Sequence, residues 1–399
     1  MQESAVKTRI HYLDHIRALA MLLGVFFHAA FSYAEYTQSV WLTTDIEKSF
    51  ALEVFIWFGH LFRMALFFLI AGFFANLMVQ KRGVFGFLKN RALRLGLPFF
   101  IFMPLNAIAI IALLVYATGY IQDLNGAQQI VADSIRNETP NTDAPRTGVM
   151  WFVYNLMFFS IIAVILQKFD FAFIARLRGW VFGSLTPLLL LPLILVPALY
   201  YAGLPLASPE LFTPEMWSYG YYGLFFLFGW HFFYHTEYLE LVSRHLNKLV
   251  ASVLLAYPVF FYLMPQATMD TALSLSFDDK MAFDAGKLLA VGLEAYLSVF
   301  LTLIALVLGR RFFDAQNQIA RYISDASYWV YLVHLPLVFY FQIILTEVDL
   351  PVWIKFFITS GATLVIAFVT YHLVVRYTPL GTMLNGKKYR HADPAMGEK

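Results

Sequence analysis

The feature that most constrains this chain is a succession of apolar runs. Each is roughly 17–25 residues long, enough to cross a hydrocarbon core of about 30 Å as a helix. In lipid, backbone N–H and C=O groups must be bonded within the protein, so only helices or a closed barrel can span. The short alternating segments of a barrel are absent, and the runs predict an all-α polytopic membrane protein. About ten spans are expected, at roughly 16–34, 54–78, 94–117, 149–167, 181–201, 217–235, 249–264, 288–309, 326–346 and 353–375.

Composition agrees. Charged residues make up 14% of the chain, against roughly 25% in soluble domains. The absence of cysteine excludes disulfides, a thiolate nucleophile and a Cys-based metal or iron–sulfur site. The opening lacks the pattern of a cleaved signal peptide. A net charge of +2 says little about partners, and no nucleic-acid partner is expected.

The loops alternate in charge. Lys7, Arg9, Lys81, Arg82, Lys89, Arg91, Lys168, Arg176, Arg178, Arg244, Lys248, Arg310, Arg311, Arg321, Arg376, Lys387, Lys388 and Arg390 fall in one set. The other set is acidic, including Glu35, Asp45, Glu47, Asp123, Glu210, Glu215, Asp278, Asp279, Glu347 and Asp349. Short loops rich in Lys and Arg stay in the cytoplasm, so both termini are expected there. The loops at 35–53 (with Trp41), 118–148 (with Pro140 and Pro145) and 265–287 then lie outside. They are either hydrophilic linkers or the mouth of a cavity. One membrane domain is expected over 1–378, with a loose polar cytoplasmic tail over 379–399.

Several spans carry residues that lipid would not tolerate. In the first, Arg17 and His28 are 11 residues apart. They share a helical face to within about 20° and differ by roughly 16 Å in rise. Asp14 sits one turn before Arg17 and can hold its guanidinium. The pattern implies a polar interior running along this helix, with Arg17 near the cytoplasmic side and His28 in the outer half. Histidine ionises near neutrality and is a natural general base for a hydroxyl; a structural, packed histidine is the plainer alternative. Arg63 in the second span is expected to face the same outer cavity, and His60, one turn before it, either joins it there or sits at the interface. Arg91 and Arg94 share a face at the start of the third span. They either fix topology or form an anion site suited to phosphates.

His334 lies near the middle of the ninth span, just before Pro336, and either lines a pathway or bridges helices. Glu294 in the eighth span and Asn155 in the fourth are further acceptor-side candidates, Asn155 beside the interfacial aromatics Trp151 and Tyr154. His231 and His235 have a spacing that can hold a metal. No third ligand accompanies them, and they are expected at an interface, with no metal site. No glycine-rich nucleotide loop is present.

Three patterns together carry a resemblance: Asp14-His-Ile-Arg17 followed by ten residues and His28, Arg91-Ala-Leu-Arg94, and Ser327-Tyr-Trp-Val-Tyr-Leu-Val-His334. The chain resembles the acyltransferase-3 family of integral membrane acyltransferases over nearly its whole length. Its stand-alone layout is similar to the glucan biosynthesis protein C branch, associated with succinylation of periplasmic glucans. The resemblance implies transfer of an acyl group from cytoplasmic acyl-CoA, as succinyl-CoA or acetyl-CoA, to hydroxyls of an envelope glycan. Succinyl is favoured. No tightly bound cofactor is implied, and the membrane would be the bacterial inner membrane. Carried over, Arg91 and Arg94 would bind the CoA end, His28 would serve the acceptor, and Arg17, Asp14 and His334 would support the path. His60, Arg63, Asn155 and Glu294 match no family pattern. Two other readings are a transporter or flippase of an envelope glycan or lipid-linked sugar, and a structural envelope partner.

Overall fold

A computed structural model describes residues 10–36, 41–121, 128–129, 132–133, 146–167, 172–202, 208–264, 284–315 and 317–386. The described residues are almost entirely helical. The helices are α1 (His11–Ala30), α2 (Phe50–Arg91), α3 (Leu97–Tyr120), α4 (Trp151–Gln167), α5 (Ala172–Phe182), α6 (Thr186–Ala202), α7 (Leu224–Phe232), α8 (Tyr238–Ser243), α9 (Leu246–Leu263), α10 (Ala285–Phe312), α11 (Gln318–Thr346), α12 (Val352–Thr370) and α13 (Pro379–Asn385).

Among the described residues, seven helical stretches are long and apolar enough to cross a membrane. The number is eight if Ala175–Phe182 and Thr186–Ala202, bent by 112° at their break, form one span. Ten spans were expected, and two features account for the lower count. First, two expected spans lie in one helical stretch, Phe50–Tyr120, of 71 residues. A straight helix of that length would run about 105 Å, more than three hydrocarbon cores. It is broken at Gly83, whose φ of 67° and ψ of 172° are not helical. Glycine reaches positive φ without a Cβ clash, so the chain turns there. Second, the segment expected over 217–235 is built from pieces. Met216–Ser218 leads through a π-helical turn, Tyr219–Gly223, into the nine-residue α7.

The bundle packs tightest where α2 meets α7. A Cβ on Gly72 would lie 1.9 Å from the Phe226 carbonyl oxygen, and one on Gly229 would lie 1.8 Å from that of Leu69. Only glycine permits this backbone approach, the small-residue packing that membrane helices use in place of a hydrophobic driving force. α1 lies against α2, α10, α11 and α12, so the stripe carrying Arg17 and His28 faces other helices, with Arg17 still partly exposed at its end. The helix starts are capped where they leave the bundle. Asp284 accepts from the Lys287 N–H, and Asn317 from those of Ile319 and Ala320.

After α1, a 3₁₀ turn (Phe31–Tyr33) leads to the segment 41–49, which folds back over the helix ends. Asp45 N–H donates to the Ser32 carbonyl and Ser49 N–H to that of Tyr33, each at 2.9 Å. Lys355 of α12 reaches both Asp45 carboxylate oxygens at 2.8 Å, in a pair closed off from solvent. Lys48 donates to the Ser32 carbonyl and to Thr44, and burial lowers its pKa to about 8. The loops expected at 118–148 and 265–287 lie mostly outside the described residues, as do the charges at 7, 9, 168, 387, 388 and 390. The first residues of the expected loose tail are ordered: α13 docks with Leu384 buried and stops at Gly386, at φ 66°.

Candidate active site

Two cavities meet inside the bundle. The first, of about 340 Å³, is lined by His28 of α1, His60 and Arg63 of α2, and His334 of α11, with Trp41, Tyr222, Tyr331, Ser208 and Glu210. The helical period brings Gly24, Phe27 and His28 to this side of α1, and His60 and Arg63 to the facing side of α2. The rings of His28 and His334 are 5.2 Å apart. Trp41 stacks on His28 at 5.5 Å, with the planes 16° apart. Arg63 lies over the Phe27 ring at 3.9 Å.

Gln342 of α11 fixes the position of His28. Its amide NH₂ donates to the His28 and Ala29 carbonyls, each at 3.1 Å, and its oxygen accepts from Trp41 Nε1 at 3.0 Å and Thr43 Oγ1 at 2.8 Å. His334 Nδ1 lies 2.7 Å from the Tyr331 carbonyl. A carbonyl can only accept, so Nδ1 carries the proton and Nε2 is left as the free nitrogen. His28 Nδ1 is buried with no partner among the described residues.

The second cavity, of about 420 Å³, is lined by Asp14, Arg17, Lys81, Arg82, Arg91, Arg94 and Asp325, with Tyr328 and Asn385 among the polar groups. Its five cations and two carboxylates make it suited to an anion of several charges. Arg17 meets Asp14 at 3.5 Å. The turn at Gly83 brings Lys81 and Arg82 to this cavity, a role that sequence reasoning gave only to topology. A π-helical turn, Ala92–Gly96, begins directly after Arg91 and contains Arg94; such turns often mark functional positions. Arg94 Nε and Nη2 both donate to the Leu384 carbonyl, at 3.0 and 2.7 Å. Its fork is therefore partly occupied by α13, while Arg91 Nε has no acceptor among the described residues and its guanidinium lies over Phe87 at 5.0 Å.

Met21, Phe67 and Phe152 line both cavities. They form an apolar partition from α1, α2 and α4, with cationic groups on one side and the histidines on the other.

Two acceptor-side candidates stand outside both linings. Asn155 is buried, donating to the Trp151 and Pro209 carbonyls and accepting from Ser218. It holds the segment 208–218 in place rather than facing the cavity. Glu294 is buried near Tyr221 and Tyr222, behind the wall that Tyr222 presents. His235 stacks on Phe182 at 5.0 Å and meets Glu237. Among the described residues no group of three His, Cys, Asp or Glu is placed to hold a metal ion.

Sequence reasoning missed Ser208 and Glu210 as cavity residues. Ser208 donates to Glu210 at 2.8 Å, and Thr147 N–H and Oγ1 both donate to the Glu210 carbonyl. Burial raises the Glu210 pKa, while Ser208 and Arg146 oppose the shift. The only sequence signal was an acidic residue in a short loop, which most such loops also carry.

The profile of a family described as "Acyltransferase domain" matches residues 10–372. Curated relatives include the proteins named glucans biosynthesis protein C from Escherichia coli strains K12, SMS-3-5 and O1:K1 / APEC. Each is 35% identical over 111 residues, 28% of this chain and 28% of the relative. The chain therefore matches little more than a quarter of the length of these relatives. No solved structure matches it.

Proposed function

Because the chain belongs to the acyltransferase family that matches residues 10–372, we propose that it moves an acyl group across the partition between its two cavities. The donor is an acyl-CoA held from the cytoplasmic side, and the acceptor is a hydroxyl of an envelope glucan on the other. The observation that carries this reading is the pair of cavities abutting at Met21, Phe67 and Phe152, one cationic and one rich in histidine. CoA is a polyanion with a long slender arm ending in a thioester. Arg17, Lys81, Arg82, Arg91 and Arg94 suit its phosphates. The arm can pass between apolar side chains, whereas the phosphates cannot.

In the histidine cavity, His28 takes the proton of the acceptor hydroxyl as its oxygen attacks the thioester carbon. The carbonyl oxygen becomes an oxyanion, met by donors lining the cavity such as His60 and Tyr222. The C–S bond then breaks, and the thiolate of CoA takes back the proton from His28. His334, with Nδ1 committed to the Tyr331 carbonyl, positions His28 and can share the proton through Nε2. Arg17, fixed by Asp14, closes the cationic side.

Loop charge supports a cytoplasmic side for the cationic cavity and both termini, and the family resemblance favours a bacterial inner membrane. The relatives' name supports a glucan acceptor, periplasmic in this orientation, and the family resemblance favours succinyl as the group transferred.

The test is mass spectrometry of envelope glucans from cells with and without the gene, and with His28→Ala at matched protein level. Loss of a fixed added mass in both is expected. Full acylation in the His28→Ala strain removes its role as base. Altered glucan export without any acyl mass would instead support a flippase.

A further inference from the structure

Arg63 is the one side chain in the histidine cavity whose charge is unexplained. It is 7% exposed. Its Nε and Nη1 are buried and have no hydrogen-bond partner among the described residues. Among the described residues, the ionisable groups close enough to affect it or be affected by it are His28, His60, His334, Tyr222 and Tyr331. None of these is a carboxylate. Glu210 lines the same cavity, but its charged neighbours are Arg146 and Glu215, and its carboxylate is held by Ser208. The Phe27 ring, 3.9 Å from Arg63 Cζ, offers a cation–π contact. That contact leaves the N–H groups unsatisfied.

The local sequence makes room for this guanidinium. A Cβ on Gly24, one turn before His28, would lie 3.1 Å from Arg63 Nη1. A buried guanidinium without a counter-ion is costly, and the cost is relieved when an anion enters. The phosphates of CoA are poor candidates for that anion. They have five cations of their own beyond the partition, and Met21, Phe67 and Phe152 stand between. The anion that belongs beside His28 is part of the transferred group itself.

We propose that Arg63 is the specificity-determining residue for the acyl group. It binds the free carboxylate at the far end of a dicarboxylic acyl chain and thereby selects such donors over neutral ones of similar length. This rests on the acyl-CoA reading above. It assigns Arg63 a role distinct from stabilising the oxyanion, which every acyl donor would form equally. The covalent step is unchanged, because the distal carboxylate takes no part in bond making.

Purified full-length protein is assayed for acyl transfer to glucan from succinyl-CoA and from butyryl-CoA, which has the same chain length without the charge. Wild-type protein is expected to favour succinyl-CoA in kcat/KM by about 100-fold or more. Arg63→Gln should lose that preference by depressing succinyl transfer, with butyryl transfer kept within about threefold. Retained butyryl transfer also shows that the variant is folded. Equal loss of both activities overturns the proposal in favour of an oxyanion or structural role. If Arg63→Gln does not accumulate, the wild-type ratio decides, and equal use of the two donors overturns the proposal. If wild-type protein transfers neither group nor any other acyl group from CoA, the acyl-CoA reading fails first and takes this one with it.

Discussion

Removing the Lys355 ammonium should release the segment 41–49 while the bundle stays folded. Both oxygens of Asp45 lie 2.8 Å from Lys355 Nζ, and the two side chains are 0% and 2% exposed. Lys355→Met removes the ammonium bonded to both oxygens of a buried carboxylate, leaving it the Glu47 N–H as donor and Lys48 as the nearby cation, at a cost of about 3–5 kcal/mol. The segment's other ties include the bonds from Asp45 N–H, Ser49 N–H, Thr43 Oγ1 and Trp41 Nε1 and the Lys48 ammonium on the Ser32 carbonyl. At about 1 kcal/mol each, these roughly equal that cost. Opening the segment to hydrate Asp45 therefore becomes cheap, whereas unfolding the helices does not. Amide hydrogen exchange over 41–49 should rise by about two to three and a half orders of magnitude, at about 1.4 kcal/mol per tenfold, with exchange in α2 and α11 unchanged. Acyl transfer should fall as well, because Trp41 would no longer cover His28. Adding Asp45→Leu to make an apolar pair should restore most of the protection, since replacing both charges is far less costly than stranding one. Unchanged exchange in Lys355→Met would refute the reasoning, as would a double variant as loose as the single one.

Three further outcomes are expected. Gly72→Ala should destabilise the protein by at least about 1–3 kcal/mol, read as a fall in detergent melting temperature, because its Cβ would lie 1.9 Å from the Phe226 carbonyl oxygen. Phe152→Ala should join the two cavities, and acyl-CoA hydrolysis without acceptor should rise about tenfold as water reaches the thioester; hydrolysis at the wild-type rate would show that the partition lies elsewhere. Lys48 has a folded pKa lowered to about 8 from an ordinary 10.5. Between those values the unfolded segment binds more protons than the folded one, so protection of 41–49 should increase as pH rises through 8 toward 10 and level off above. Lys48→Met should abolish that pH dependence.

Helical period and charge made one part of the site legible in the sequence. Arg17 and His28 lie on one helix, and a periodic argument needs nothing else to put them on one face. Arg91 and Arg94, also local, were found as a pair, but their partner was not. Arg94 gives its fork to Leu384, 290 residues away, and no spacing rule reaches that far. Gln342, Lys355 and Glu210 were invisible for the same reason. Each is an ordinary residue until a distant segment folds against it, as Asp45 does on Lys355. Asn155 shows the converse. Its position beside interfacial aromatics suggested a cavity role, but three local and distant partners satisfy its amide. The spans expected at 54–78 and 94–117 lie on either side of the turn at Gly83, whereas apolar length does not register that the one expected over 217–235 is assembled from a π-helical turn and a short helix.

The single amide of Gln342 has a consequence for how the segment 41–49 and His28 can move. Its nitrogen serves two carbonyls of α1 and its oxygen two donors of that segment. An amide that rotates by half a turn exchanges donor for acceptor and loses all four bonds together. The backbone under His28 and the indole above it are thus referenced to one rigid plane on α11. Sliding of α11 along its axis would carry floor and roof of the histidine pocket by the same amount, preserving their spacing while shifting both against Arg63 on α2.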